Sequence, residues 1–389
     1  HVYSDKAPAQ PILGAAVLGV AEFIGADPAT EYRVRGNLGL WSQSLVFATI
    51  PGALLLVLLR RHSRRHVDGP TALVAAGGLV ATTIVLPLSS HLYGHVMAAV
   101  AVFAAWHLLT APTPSLPRVA MAGALAALAC ATEYPVAIAA AIIGVWVLAR
   151  LGWRAAAAYG TPLVLGAVLV VAHNRLLFDS STTGYTAKSD GGRVNFLGTP
   201  DLGYVARILA GERGFVFTPI VLVGLAGLWI GLRERRRDLW VPAAIFAGYL
   251  WLQAGWSNPW GGEGPGPRYM TTALPFLVVP IALVLPRLRR ITIGAVLGVG
   301  AVSMGLAVLT LDLVPHGSAL IVTHLDRISA DGLSPTIFTM ALGPAGWLVH
   351  LALVGWAAFG LYRHLATPPD DAPGIGGQPA GRAVALSGR

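Results

Sequence analysis

Residues 118–150 read RVAMAGALAALACATEYPVAIAAAIIGVWVLAR. The stretch is apolar except for its terminal arginines and one interior carboxylate, Glu133. About 20 apolar residues suffice for one bilayer crossing, so this run is too long for a single upright helix. Proline disfavours helix in the residue before it. Glu133–Tyr134–Pro135 therefore reads as a tight turn between two short spans, which returns Arg150 to the side where Arg118 began. The alternative is one long, kinked, tilted helix, and it would invert every later segment.

The remaining sequence favours the turn. The chain has 389 residues, 55% of them hydrophobic and only 12% charged, with mean hydropathy +0.66. A soluble domain carries roughly 25% charged residues. The composition predicts an all-α, polytopic helical membrane protein. Eleven crossings are predicted, near 39–59, 71–89, 91–111, 118–133, 135–150, 156–177, 215–232, 239–256, 269–286, 291–311 and 343–362. With that frame the arginine-rich loops (60–66, 118, 150–154, 233–237, 287–290 and 363) all fall on one face. Positive charge marks the cytoplasmic side of short loops. The net charge of +9 is thus a topology signal, not a nucleic-acid signal. The opposite, outer face receives 88–91, Glu133–Tyr134, 178–214, 257–268 and 312–342.

The same frame places His1 outside and keeps residues 11–24 from crossing. That segment is short and carries Glu22, which suits a surface or re-entrant helix. Two further surface helices are predicted, near 200–212 and 319–328, from apolar residues at helical spacing. Residues 1–364 read as one transmembrane domain, in which 1–38 close an outer loop. Residues 365–389, rich in Pro and Gly, read as a disordered cytoplasmic tail. One cysteine, Cys130, excludes an internal disulfide. Arginine far outnumbers lysine, in keeping with GC-rich bacterial coding. The chain opens on His1 without a signal peptide and reads as truncated at its N-terminus. There is no internal repeat, nucleotide-binding glycine motif or zinc spacing.

Candidate chemistry collects on the outer face. In SNPWGGEGPGPRYMTTALPF (257–276), glycines permit close ligand approach and prolines stiffen the loop around Arg268. An arginine fork matches phosphate oxygens, although an interfacial anchor would look the same. Trp256 and Trp260 suit either an aromatic belt or a sugar ring. Glu263 and Tyr269 complete the group of substrate-binding candidates there. In YSDKAP (3–8), Asp5 and Lys6 precede a helix whose positive N-terminus would seat phosphate; a polar flank is the plainer reading. Glu133 and Tyr134 qualify as polar groups beside apolar spans. His91 and His95 have i,i+4 spacing, but two histidines leave a metal site incomplete, so a structural or substrate contact is the better reading.

These motifs, in this order and on one face, resemble the GT-C glycosyltransferases that use polyprenyl-phosphate sugars, including protein-mannosyltransferase-like and aminoarabinose-transferase-like members. DKAP stands where the family carries DKPP or EKPP, with Ala7 replacing the first proline. WGGEGPGPRYMTTALPF, SSHLYGH and GERGFVFTP are similar to family elements at matching places. The resemblance covers most of residues 1–311. It implies a GT-C-like fold with a further span before His1, in the bacterial plasma membrane, with the site on the extracytoplasmic face. It implies transfer of a hexose or pentose from a polyprenyl-phosphate donor to an acceptor hydroxyl on a glycan, lipid or protein. Lys6 and Arg268 would hold the lipid phosphate and Asp5 would lie at the reaction centre, with an additional catalytic acid expected upstream. No cofactor is required by the resemblance, and a divalent metal is an open possibility. A transporter or flippase of an anionic or lipid-linked substrate, or a non-catalytic protein retaining the fold, remain the competing expectations.

Overall fold

The structure, a computed structural model, describes residues 7–25, 38–179, 198–256, 258–310, 313–334, 336–353 and 356. It is all-helical, with no strand among the described residues. It divides into two units at Pro335–Thr336.

The first unit begins with α1 (Ala9–Phe23), the predicted surface helix. Helix α2 (Gly39–Ser63) follows and includes one π-helical turn at Leu45–Thr49. Next come α3 (Gly69–Ala81), α4 (Gly94–Leu109) and α5 (Leu116–Thr132). Glu133 is extended (φ −146°, ψ 110°) and a 3₁₀ turn at Tyr134–Val136 leads into α6 (Ala137–Leu151). Arg118 near the start of α5 and Arg150 near the end of α6 line one cavity. The chain therefore doubles back at Glu133, and the single long helix is excluded.

Helix α7 (Trp153–Phe178) has 26 residues. At 1.5 Å per residue it runs about 39 Å, enough to cross a bilayer. It leaves Val164, Leu165, Val168 and Leu169 exposed along its middle, as a lipid-facing helix does. Helices α8 (Leu202–Ala210) and α9 (Ile220–Arg233) are joined by a bend, the whole pair turning through 117°. Then come α10 (Trp240–Ala254), α11 (Val278–Val284), α12 (Arg290–Leu309) and α13 (Leu320–Asp331). Among the described residues, four helices are long and apolar enough to cross a membrane, or five if the bent pair is one span. Five shorter apolar helices accompany them. The protein is thus a helical membrane protein.

Two predicted spans are interrupted, for local reasons. The run 71–89 breaks after α3, where the hydroxyls of Thr82 and Thr83 donate back to the carbonyls of Gly78 and Leu79, both at 2.7 Å. Such back-bonding competes with continued helix. The run 269–286 is assembled from 3₁₀ segments at Arg268–Thr272, Leu274–Leu277 and Leu285–Arg287 around α11. Pro275, Pro280 and Pro286 lack the amide proton that a continuous helix needs.

The second unit, from Thr336, opens on a capping box. The Thr336 hydroxyl accepts from the Thr339 amide, and the Thr339 hydroxyl accepts from the Thr336 amide. Helix α14 (Ile337–Leu342) follows, then a 3₁₀ turn at Gly343–Ala345 and a helix from 346. His350 closes on this start, 2.6 Å from the Thr336 hydroxyl. The predicted tail, 365–389, lies outside the described residues.

Candidate functional site

The site is built at the N-terminal end of α4. Tyr93 is extended (φ −120°, ψ 146°), so the helix starts only at Gly94. His91 thus precedes the helix and does not share a face with His95; the i,i+4 reading of the pair fails for that reason. His91 instead turns toward its own loop, with Nδ1 3.1 Å from the Pro87 carbonyl and 3.0 Å from the Ser90 hydroxyl. His95 is buried and its Nδ1 lies 3.3 Å from Glu133 Oε1. Its ring is stacked with Tyr93 (6.1 Å between centroids) and meets Tyr269 edge-on at 5.6 Å.

Gly94 makes this convergence possible. A Cβ there would lie 2.8 Å from Glu133 Oε1 and 3.0 Å from Gln10 Oε1. The missing side chain is the space in which the Glu133 carboxylate and the first turn of α1 meet. The first turn of α1, which follows DKAP, therefore meets Glu133 across Gly94. Asp5 and Lys6 themselves lie outside the described residues, while Ala7 is buried.

The glycine-rich loop supplies the other wall. Trp256 packs on Tyr269 at 5.0 Å, and the Arg268 guanidinium stands 5.4 Å from the same ring. Gly261 (φ 72°) and Gly262 (φ 136°) occupy backbone conformations that side-chain-bearing residues rarely adopt. A Cβ on Gly261 would lie 2.7 Å from the Tyr269 ring, and one on Gly262 would lie 3.0 Å from Arg268 Cζ. These two glycines let the loop fold over the Arg268–Tyr269 pair. The Arg268 amide donates to the Trp260 carbonyl at 3.2 Å, and the Tyr269 amide donates to Gln253 Oε1 at 3.2 Å.

Trp260 is not a belt residue. It is 1% exposed, with Arg207 at 5.7 Å and Arg213 at 5.8 Å from its ring. Arg213, also 1% exposed, donates to the carbonyls of Ser318, Gly264 and Pro315. Glu263 keeps its side chain exposed while its carbonyl accepts from the Val314 amide. Loops 211–214, 258–267 and 313–320 are thereby fastened into one lid-like layer. Tyr134 lines a different cavity, of about 520 Å³, shared with Cys130 and Tyr159.

Three buried donors in this neighbourhood have no hydrogen-bond partner among the described residues: Arg268 Nε, Trp260 Nε1 and Gln253 Nε2. Buried polar groups are ordinarily satisfied, and each exception calls for an explanation. Gln10, Gln253 and Arg213 were not singled out from sequence. Gln253 carried a visible signal, an amide inside an otherwise apolar helix; Arg213 lay within GERGFVFTP, an element similar to the family's, and Gln10 carried none. No group of three or more His, Cys, Asp or Glu able to hold a metal ion occurs among the described residues.

Compared with protein-family models, curated proteins and solved structures, the chain matches none.

Proposed function

We propose that the protein is a membrane glycosyltransferase of the GT-C type, which moves a sugar from a polyprenyl-phosphate donor to an acceptor hydroxyl on the extracytoplasmic face. The observation that carries this reading is the buried Arg268 Nε, which has no hydrogen-bond partner among the described residues. Trp260 Nε1 and Gln253 Nε2 likewise have none there, and the Trp260 carbonyl and the Gln253 side-chain amide oxygen hold the Arg268 and Tyr269 amides respectively. All three are N–H groups, so the ligand that completes them is rich in acceptors. A phosphate bears such oxygens together with the charge that Arg268 complements. Trp256 and Tyr269 offer aromatic faces next to it, suited to a sugar ring.

In the proposed reaction the bond between the anomeric carbon and the phosphate oxygen breaks, and the electron pair leaves on the phosphate. Arg268, with Lys6 preceding buried Ala7 in the chain, stabilises that growing charge. The acceptor oxygen bonds to the anomeric carbon and gives its proton to a carboxylate, Asp5. His95, oriented by Glu133 at 3.3 Å, is a second group able to take that proton.

The test is transfer of radiolabelled sugar from defined polyprenyl-phosphate donors in proteoliposomes. Arg268→Ala is expected to lower transfer by roughly 100-fold or more while membrane insertion persists. Arg268→Lys should recover part of it, because the charge returns without the fork. Wild-type turnover by Arg268→Ala would remove Arg268 from the reaction.

A further inference from the structure

At the opposite end of α4 lies a cavity of about 1170 Å³. His95 and His107 are twelve residues apart on this helix, so the two sites are separated by roughly 18 Å along its axis. Arg65, Arg118, Arg150 and Arg237 reach the cavity from four separate loops or helix ends. Asp238 is the one carboxylate in the lining, and it is engaged by Arg236 at 2.7 Å and by His66 Nδ1 at 3.8 Å. The rest of the wall is apolar and aromatic, including Trp106, Trp146, Phe103, Phe276, Leu109 and Val279.

The polar side of this cavity is preset to donate. Arg65 bonds to the His107 carbonyl, the Thr110 hydroxyl and His107 Nε2, the last at 3.0 Å. Guanidinium is donor-only, so His107 Nε2 accepts and its proton sits on Nδ1. That proton is donated to His62 Nδ1 at 3.3 Å. His62, 4% exposed and part of the lining, is left with its own proton on Nε2. Arg118 Nε is buried without a hydrogen-bond partner among the described residues. Arg118 also stands close enough to Arg65 to help burial pull that guanidinium below its ordinary range, burial being the larger cause. Like charges held together in a partly enclosed space favour an anion between them.

We infer that this cavity is a second binding site, distinct from the Arg268 cluster, for an anionic amphiphile whose phosphate head lies among Arg65, Arg118, Arg150 and His62 and whose apolar chain lies against Trp106 and Trp146. Cations alone would serve any phosphate ester. The aromatic and aliphatic wall selects the one that carries a chain.

The experiment measures binding to the purified full chain in detergent, with no donor sugar present, so its outcome is independent of glycosyl transfer. The probes are a phosphatidic acid with a diazirine on one acyl chain, the matching diacylglycerol, and glycerol 3-phosphate. Phosphatidic acid is expected to bind at least tenfold tighter than either of the others, and less tightly as salt rises. Photolysis of the wild-type complex should label peptides containing Trp106, Leu109 or Trp146. The double variant Arg118→Gln, Arg150→Gln should weaken binding by about tenfold or more while remaining monodisperse. Arg118 Nε has no hydrogen-bond partner among the described residues, so its replacement removes charge without breaking a bond at that atom. Equal binding of glycerol 3-phosphate would overturn the amphiphile assignment. Labelling confined to the exposed face of α7 would overturn the site, whatever the fate of the variant.

Discussion

Arg213 fastens two loops with one guanidinium, accepting no role that a shorter side chain could fill. Its carbonyl partners at Ser318, Gly264 and Pro315 are more than fifty residues away in sequence. Hydrogen bonds from charged donors contribute about 1.5–3 kcal/mol each and are not additive. Arg213→Ala is expected to destabilise the protein by about 2–4 kcal/mol, read as a lower unfolding midpoint in detergent. Limited proteolysis should then cut within 258–267 or 313–320; unchanged protection of both loops would show that Arg213 does not hold them. His66 makes a pH prediction at the same scale. Burial pushes its pKa below the ordinary 6.5, Asp238 partly opposes this, and Arg236 and Arg65 add to the depression. A depressed folded-state pKa means that the unfolded chain binds the proton more readily. The contribution is therefore full above about pH 6.5 and is lost as pH falls toward the folded-state pKa. His66→Gln should reduce the fall in melting temperature between pH 7 and pH 5, as measured by thermal unfolding. A steeper fall would reverse the sign of the argument.

At the scale of elements, small residues decide which helices touch. Gly123 on α5 faces the Tyr159 backbone of α7, and a Cβ there would collide with the Tyr159 carbonyl. Lipid is as apolar as a leucine side chain, so helices in a bilayer associate through close packing of this kind. Gly123→Val forces the pair apart and should cost about 1–3 kcal/mol or more, seen as loss of monodisperse protein on size exclusion. Wild-type behaviour would mean that the α5–α7 contact adjusts freely. The elements also show what sequence could and could not reveal. The turn at Glu133 and a short helix at Ala9–Phe23 were legible, because proline placement and segment length act locally. The breaks at Thr82–Thr83 and around α11 were not read, although their causes were present in the sequence. Hydropathy averages over a hydroxyl that bonds backward and over a proline that withholds a donor. His91 and His95 had helical spacing in sequence, and one extended residue, Tyr93, cancelled it. Trp260 looked like a belt residue because its apolar neighbours do not reveal that Arg207 and Arg213 flank its ring. Arg65, Arg118, Arg150 and Arg237 were legible only as topology markers. Their convergence on one cavity depends on four loops meeting in space, which no local pattern encodes.

On the scale of the whole molecule, the two sites mark opposite ends of one helical bundle. The His95–Glu133–Arg268 cluster lies at the start of α4, and the arginine-lined cavity lies at its end. Arginine-rich short loops generally mark the cytoplasmic side. The Arg268 end is then predicted to face outward, and the amphiphile cavity inward. This assignment is testable without any substrate. Cys130 is the chain's one cysteine and lies within α5, so Cys130→Ala provides a background free of thiols. Ser90, exposed near His91, reports on the first end, and Ser115, exposed just before α5, reports on the second. In sealed right-side-out vesicles a membrane-impermeant maleimide should label Ser90→Cys and spare Ser115→Cys. Inverted vesicles should give the reverse pattern. If both label from the same side, α4 does not span the bilayer, and the two sites share one compartment. If both labels exchange sides, the bundle is inverted, and a lipid-phosphate sugar on the outer leaflet could not reach Arg268.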